Sequence, residues 1–332
     1  MKEVPSGISE AIDRICLLGV AGSRGRVREV ASLYQVARRR ARQPLCAAAA
    51  RQIAAAVHPG ASVILLTGAG GPPSLPRGET DGPLGAAVLA RGLALAFDAR
   101  PIVVSEVRFR RPLVATLDAL AEDSRGVSWR RSVRCVSFPM RRAVARSAAR
   151  ALWNQVRPVA VISIERLGPN GWGVIHNAMG EDVTAAHAGV EEFFPLAQRR
   201  GVLTIGVGDR GNELGFGWIA GRRSRIPSLS RLCRCPCRST IACVVPAEVL
   251  VVASVSNWGA YGIVAALSVR LGDARLLHRS ADEARMLRAC VEAGARDGLS
   301  GEARPTVDSL PLSVNKSVVA LLGGILDRQA ER

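Results

Sequence analysis

The chain has 332 residues, is 48% hydrophobic and 4% aromatic, and carries a net charge of +17. That is ample for a buried core, and no apolar run reaches the about 18–20 residues of a membrane span. All basic residues but Lys2 and Lys316 are arginines; neither lysine sits in a phosphate-binding glycine run or reads as a Schiff-base lysine, so P-loop and pyridoxal phosphate chemistry are poor fits.

In chain order, residues 1–60 are rich in alanine and arginine and read as helices that pack on a core. Met1 to Val20 contains Glu3, Glu10 and Asp13 and makes a poor secretory signal, so a cytoplasmic protein is expected. From residue 62 the pattern alternates. Strands are expected at Val63–Thr67, Ile102–Ser105, Val133–Phe138, Val159–Ile164, Val202–Val207 and Val249–Val255. Helices are expected near 83–97, 111–122, 141–156, 183–199 and 259–271, then at 280–294 and 316–329. Uniformly apolar strands between helices predict a mostly parallel sheet covered on both faces, a Rossmann-like three-layer α/β sandwich in one large domain. Within it, residues 1–60 form a helical N-terminal segment and 61–332 the α/β part. The stretch Arg222 to Arg238 is the expected mobile insertion, and Gly294 to Ser313 a lid or a connector.

Four of the strands end in polar loops, where such sheets bind ligands. The first is Gly78-Glu79-Thr80-Asp81-Gly82-Pro83, with Asp81 placed to N-cap the helix at Pro83. The second is Glu165-Arg166-Leu167-Gly168-Pro169-Asn170. The third, Gly206 to Gly217, holds five glycines together with Asp209, Asn212 and Glu213, and the fourth is Ser256-Asn257-Trp258-Gly259. Capping explains one acid of the first loop and leaves Glu79 over. Gly206-x-Gly208-x-x-Gly211 matches a dinucleotide fingerprint, but glycine-rich loop continues where a helix is needed, and no acid follows at the right distance. A nicotinamide-linked oxidoreductase is therefore the second reading, and a basic nucleic-acid-binding protein the third. Scattered arginines and few aromatics weaken the last.

These segments resemble the D-glutamate cyclase family, which includes the C-terminal domain of mitochondrial D-glutamate cyclase and bacterial homologues. The resemblance rests on Thr67-Gly68 with GETDGPLGA (Gly78 to Ala86), ERLGPNGWGVIHNAMGEDVT (Glu165 to Thr184), TIGVGDRGNELGFG (Thr204 to Gly217) and SNWGAYG (Ser256 to Gly262). Thr306-Val307-Asp308 resembles the family's end, and Arg210 stands where the family has glycine. The resemblance implies dehydration of D-glutamate to 5-oxo-D-proline, so a small acidic amino acid is the expected partner, with no nucleic acid and no membrane. Asp209, Glu213, Asp81 and Glu79 are the expected acid/base residues. Thr67, Gly68, Thr80, Glu165, Arg166, Asn170, Asn177, Gly208, Asn212, Ser256 and Asn257 are the expected substrate contacts, with Arg166 the natural bidentate clamp on a carboxylate. An arginine beside Asp209 is expected to depress its pKa.

No cofactor is required by this reading. Several acids in one pocket would repel each other unless a cation such as Mg²⁺ or Mn²⁺ shared it, but no ligand set stands out. His176 is a possible base in a glycine-rich loop; His187 reads as a packing residue. Cys233-Arg234-Cys235-Pro236-Cys237 lacks the CxxC spacing of a zinc ribbon and has no histidine close in sequence, so the expectation is no zinc.

Overall fold

The computed structural model describes residues 3–19, 24–122, 128–220 and 226–330. Six parallel strands form one sheet: β1 (Ser62–Thr67), β2 (Arg100–Ser105), β3 (Arg134–Ser137), β4 (Ala160–Ile164), β5 (Leu203–Gly208) and β6 (Val249–Val252). Their spatial order is β3-β2-β1-β4-β5-β6. The chain winds outward from β1 in one direction and from β4 in the other, so the strand order reverses between these two neighbours. Loops leaving β1 and β4 at their carboxyl ends thus diverge and open a crevice, the usual ligand position in doubly wound sheets.

The strands are apolar on both sides because both faces are covered. Val63 and Leu65 of β1 join the core on one face, and Ile64 and Leu66 the core on the other. The thicker face carries α1 (Ser6–Cys16), α2 (Arg24–Ala41), α3 (Leu45–Ala56), α4 (Pro83–Phe97) and α5 (Arg110–Ala121). On the opposite face lie α6 (Ala145–Val156) and α7 (Phe193–Arg199). Two four-residue helices follow, α8 (Gly217–Ala220) and α9 (Pro227–Ser230), before α10 (Ser256–Leu271), α11 (Ser280–Glu292) and α12 (Leu312–Ala330) complete the thicker face. The N-terminal helices are anchored by Asp13, whose buried carboxylate accepts from Leu45 N and Cys46 N at the start of α3 and from the Tyr34 hydroxyl.

Three expected elements differ. Residues 183–192 form two 3₁₀ turns instead of the start of a long helix. There Ala188 N donates to Glu106 and Ala188 O accepts from Arg166, bonds that a continuous helix would forfeit. The helix expected from 259 begins at Ser256, so the fourth polar loop is a helix N-terminus. Of the expected mobile stretch 222–238, residues 222–225 lie outside the described residues; beyond them Ile226 and Leu229 are buried. No helix among the described residues is long and apolar enough to cross a membrane.

Candidate active site

The polar loops meet at the carboxyl edge of the sheet, and two helix starts are cross-capped there. Asp81 is buried, and its oxygens accept from Ser256 N and Asn257 N, the first turn of α10. In return, the Asn257 side-chain oxygen accepts from Gly82 N and Gly85 N at the start of α4. Asp81 therefore caps α10; of α4, the helix it precedes in sequence, it meets only the N–H of Gly82, the N-cap residue, which has φ +99°. Only glycine fits there, since a Cβ would come within 2.7 Å of Thr67 Oγ1 and 3.1 Å of Glu165 Cβ. The buried Thr67 hydroxyl beneath it has no hydrogen-bond partner. Asn257 also donates to Thr80 O, which commits both ends of its amide to the scaffold.

Glu165 leaves β4 with φ +40°, a left-handed conformation uncommon for non-glycine residues. It accepts from the Ser256 hydroxyl. The turn after β5 is held by Glu213, whose carboxylate accepts from Asp209 N, Arg210 N and Gly211 N. Gly208 lets this carboxylate approach the strand end, because a Cβ there would fall 2.8 Å from its carboxyl carbon. Gly206 and Gly215 pack the turn on itself, Gly211 and Gly217 pack it against Leu229 and Val244, and the next helix, α8, has four residues. That is no cradle for a dinucleotide.

Asp209 is the one acid of this turn with a buried oxygen, Oδ1, that lacks a partner among the described residues. Its Oδ2 accepts from Arg26 Nη2 at 2.8 Å, and Arg210 Nε lies 3.6 Å away. The same Arg26 nitrogen pairs with Asp308. Burial pushes the Asp209 carboxyl up to about 6; the Arg210 and Arg26 charges pull it down without prevailing, and Glu213 adds to the rise. The expected depression by Arg210 is therefore present but outweighed, because the carboxylate loses its water to a site that supplies two arginines and several more acids. Burial, with neighbouring acids, also holds Glu79, Asp81 and Glu165 well above the usual carboxylate range.

Two members of the site escaped the sequence reading. Asp308 sits in the tight hairpin of β7 (Thr306–Val307) and β8 (Leu310–Pro311), with φ +52°. The segment from 294 to 313 is a wall of the site: Thr80 N donates to Arg296 O, and the Thr80 hydroxyl to Thr306 O. Gly298 packs directly on Glu79, where a Cβ would lie 2.0 Å from Oε2. Asp308 carried a signal, in the motif Thr306-Val307-Asp308. Arg26 carried none, being one arginine of an arginine-rich helix.

Other expected contacts are occupied by the protein itself. Arg166 is fully buried and clamps Glu106, with Nη1 to Oε2 at 2.6 Å and Nη2 to Oε1 at 2.5 Å, and also donates to Gly68 O and Ala188 O. Its bidentate fork is thus a structural tie. Glu106, an acid directly after β2, is the third missed residue and shows the same strand-then-acid pattern as Glu165. Asn170 caps its own turn by accepting from Trp172 N and Val174 N. Asn177 does the same for Met179 N and Glu181 N on the outer loop. Asn212 donates to His176 O and leaves its buried oxygen without a partner. His176 lies away from the acids, its Nε2 at 3.2 Å from Cys235 Sγ. His187 is buried against Arg166 and pushed down to about 4, hence neutral.

A cation could draw on Glu165, Asp209 and Glu213, which each offer an oxygen within 4.8 Å of the others. The fit is incomplete. Both Glu213 oxygens already accept backbone N–H groups, and Ser256 takes a Glu165 oxygen.

A profile of the family described as "D-glutamate cyclase-like, C-terminal" matches residues 30–323. The chain belongs to that family. It is also 30% identical over 174 residues to the human protein "D-glutamate cyclase, mitochondrial". That alignment takes in 46% of this chain and 27% of the human protein, so the likeness spans about a quarter of the relative's length. All the carboxylates of the site lie inside the family match, whereas Arg26 precedes it by four positions.

Proposed function

We propose that this protein converts D-glutamate to 5-oxo-D-proline with release of water. The observation that carries the proposal is Asp209, a buried carboxyl with a pKa near 6 and an oxygen unpartnered among the described residues, amid carboxyls that burial and neighbouring acids push up. Family membership supports the same reaction. At neutral pH Asp209, at about 6, is mostly ionised, while burial and the neighbouring acids push Glu79 well above its usual value and favour its protonated form. Two carboxyls with separated pKa values are what paired acid/base chemistry needs.

The proton inventory closes. Asp209 takes one proton from the substrate ammonium, and Glu79 gives its proton to the side-chain carboxylate. The neutral amine then attacks the carboxyl carbon and a tetrahedral adduct forms. Glu79 recovers a proton from the adduct nitrogen, and Asp209 returns its proton to the departing hydroxyl, which leaves as water. Both residues end as they began. Arg26 Nη1 and Arg210 Nη2, buried donors without hydrogen-bond acceptors among the described residues, are the groups available to the α-carboxylate. Holding the flexible chain of glutamate in a folded shape accounts for much of such a rate gain. No step requires a metal or a nicotinamide.

Purified protein incubated separately with D- and L-glutamate tests the reading, following loss of primary amine and appearance of 5-oxoproline. Conversion of the D-enantiomer without added cofactor is expected, and Mg²⁺ or Mn²⁺ added after dialysis should not raise the rate. An NAD(H)-dependent absorbance change with no cyclisation would favour the oxidoreductase reading.

The arginines give a further expected result. Each lowers the Asp209 pKa, so Arg26→Ala or Arg210→Gly should raise it. A base must be deprotonated to act, so the acid limb of kcat/KM should move to higher pH in both variants. A limb that stays in place, or moves down, would show that Asp209 is not the group titrating.

A further inference from the structure

We infer that Cys233, Cys235, Cys237 and His176 form a closed structural zinc site. The three sulfurs form a tight triangle, with Sγ–Sγ separations of 3.4 Å (Cys233–Cys235), 3.4 Å (Cys233–Cys237) and 3.2 Å (Cys235–Cys237). His176 Nε2 faces one edge of it, 3.2 Å from Cys235 Sγ and 3.7 Å from Cys237 Sγ. Tetrahedral zinc with bonds of about 2.3 Å to sulfur and 2.0–2.1 Å to nitrogen has sulfur–sulfur edges of about 3.8 Å and sulfur–nitrogen edges of about 3.6 Å. The four ligand atoms lie within 4.8 Å of one another, and the sulfurs sit closer together than those edges by about 0.4–0.6 Å, a spacing that small side-chain shifts would open around an ion. All three cysteines are free of disulfides.

The histidine comes from a loop 57 to 61 positions earlier, which is why the cysteine spacing did not disclose the site. His176 is fully buried although its ring is polar, and its Nδ1 has no partner among the described residues. The cysteine turn is shaped to present its sulfurs: Cys233 N donates to Ser239 O, Arg238 N donates to Cys235 O, and Arg238 adopts φ +45°. Three thiolates and one imidazole fill a zinc ion's coordination and leave no open position, so the ion would brace the fold and take no substrate. A hard cation would reject such sulfur ligands, and an iron–sulfur cluster would want a fourth cysteine.

The site ties the loop at 174–182 to the segment at 231–240, where Arg234 N donates to Gly180 O and the Arg231 guanidinium to Ala178 O. It also touches the turn after β5, because His176 O accepts from Asn212. Asn170 Nδ2, 3.6 Å from Cys237 Sγ, adds a bond from the loop after β4.

Elemental analysis of the purified full chain, grown with zinc and desalted, should find about one zinc per chain. Native mass spectrometry should show the matching mass shift, and mercurial modification of the thiols should release the zinc to a chromophoric chelator. Cobalt reconstitution should give sulfur-to-cobalt charge-transfer absorption with intense tetrahedral visible bands. Cys235→Ser and His176→Ala should each lose the zinc, whereas Cys135→Ser, outside the cluster, should keep it. If a ligand variant fails to fold, the wild-type release and cobalt spectrum still decide. A disulfide joining two of the three cysteines, iron in place of zinc, or a metal-free chain that binds zinc no tighter than micromolar would overturn the assignment.

Discussion

Asp209→Asn is expected to lower turnover of D-glutamate by about 100-fold or more, with a much smaller change in KM. The substitution keeps size and shape and leaves an oxygen for Arg26 to meet. It should not disturb the turn after β5, since that turn hangs on the Glu213 carboxylate and on Asp209's backbone N–H. What disappears is a group able to take and return a proton. Circular dichroism and thermal melting separate the two cases. A folded variant with near-wild-type turnover would remove Asp209 from the chemistry and leave Glu79 without its complement.

The largest effect on stability is expected at the Glu106–Arg166 pair. Both side chains are fully buried. Burial alone would raise the Glu106 pKa, but the Arg166 charge and hydrogen bonds, with smaller help from Ala188 N, bring it below its usual value. The pair is therefore charged in the folded protein. Removing one partner strands the other charge without water, a cost of about 3–5 kcal/mol. Glu106→Ala or Arg166→Met should thus lower unfolding free energy by about that amount in urea titrations. The double variant Glu106→Leu with Arg166→Met should recover much of the loss, because it leaves no orphaned charge. A loss in the double variant equal to the sum of the two single losses would mean the pair is not coupled. Arg166 also follows Glu165 directly, and its carbonyl accepts from Leu214 N. Its loss should therefore loosen two loops of the site together.

The sheet was legible because its strands are apolar on both sides and short, which leaves little choice but a covered parallel arrangement. Each expected strand overlaps an observed one, with ends shifted by a residue or a few. The loops were legible as a set because each acid follows a strand directly. What they do was less legible, since capping is decided in space. Asp81 looks like a cap for α4 and caps α10, while Asn257 looks like a substrate contact and caps α4. Arg166 reads as a ligand clamp, yet its partner Glu106 lies 60 positions earlier at the end of another strand. Arg26 is one arginine among many, and only the packing of α2 brings it to Asp209. The same holds for His176, whose relation to the cysteines depends on how two loops fold together.

The pH dependence of kcat/KM for D-glutamate tests the account most directly, since that ratio reports the free enzyme's essential base. Burial places the Asp209 carboxyl at about 6. The rate should therefore hold near neutral pH and fall tenfold per pH unit well below about 6. Free glutamate's own side-chain carboxyl titrates near 4.3, clear of that limb. A rate that stays level down to about pH 4.5 would contradict the account, because it would mean that the working base has an ordinary carboxylate pKa or is not a carboxylate of this site.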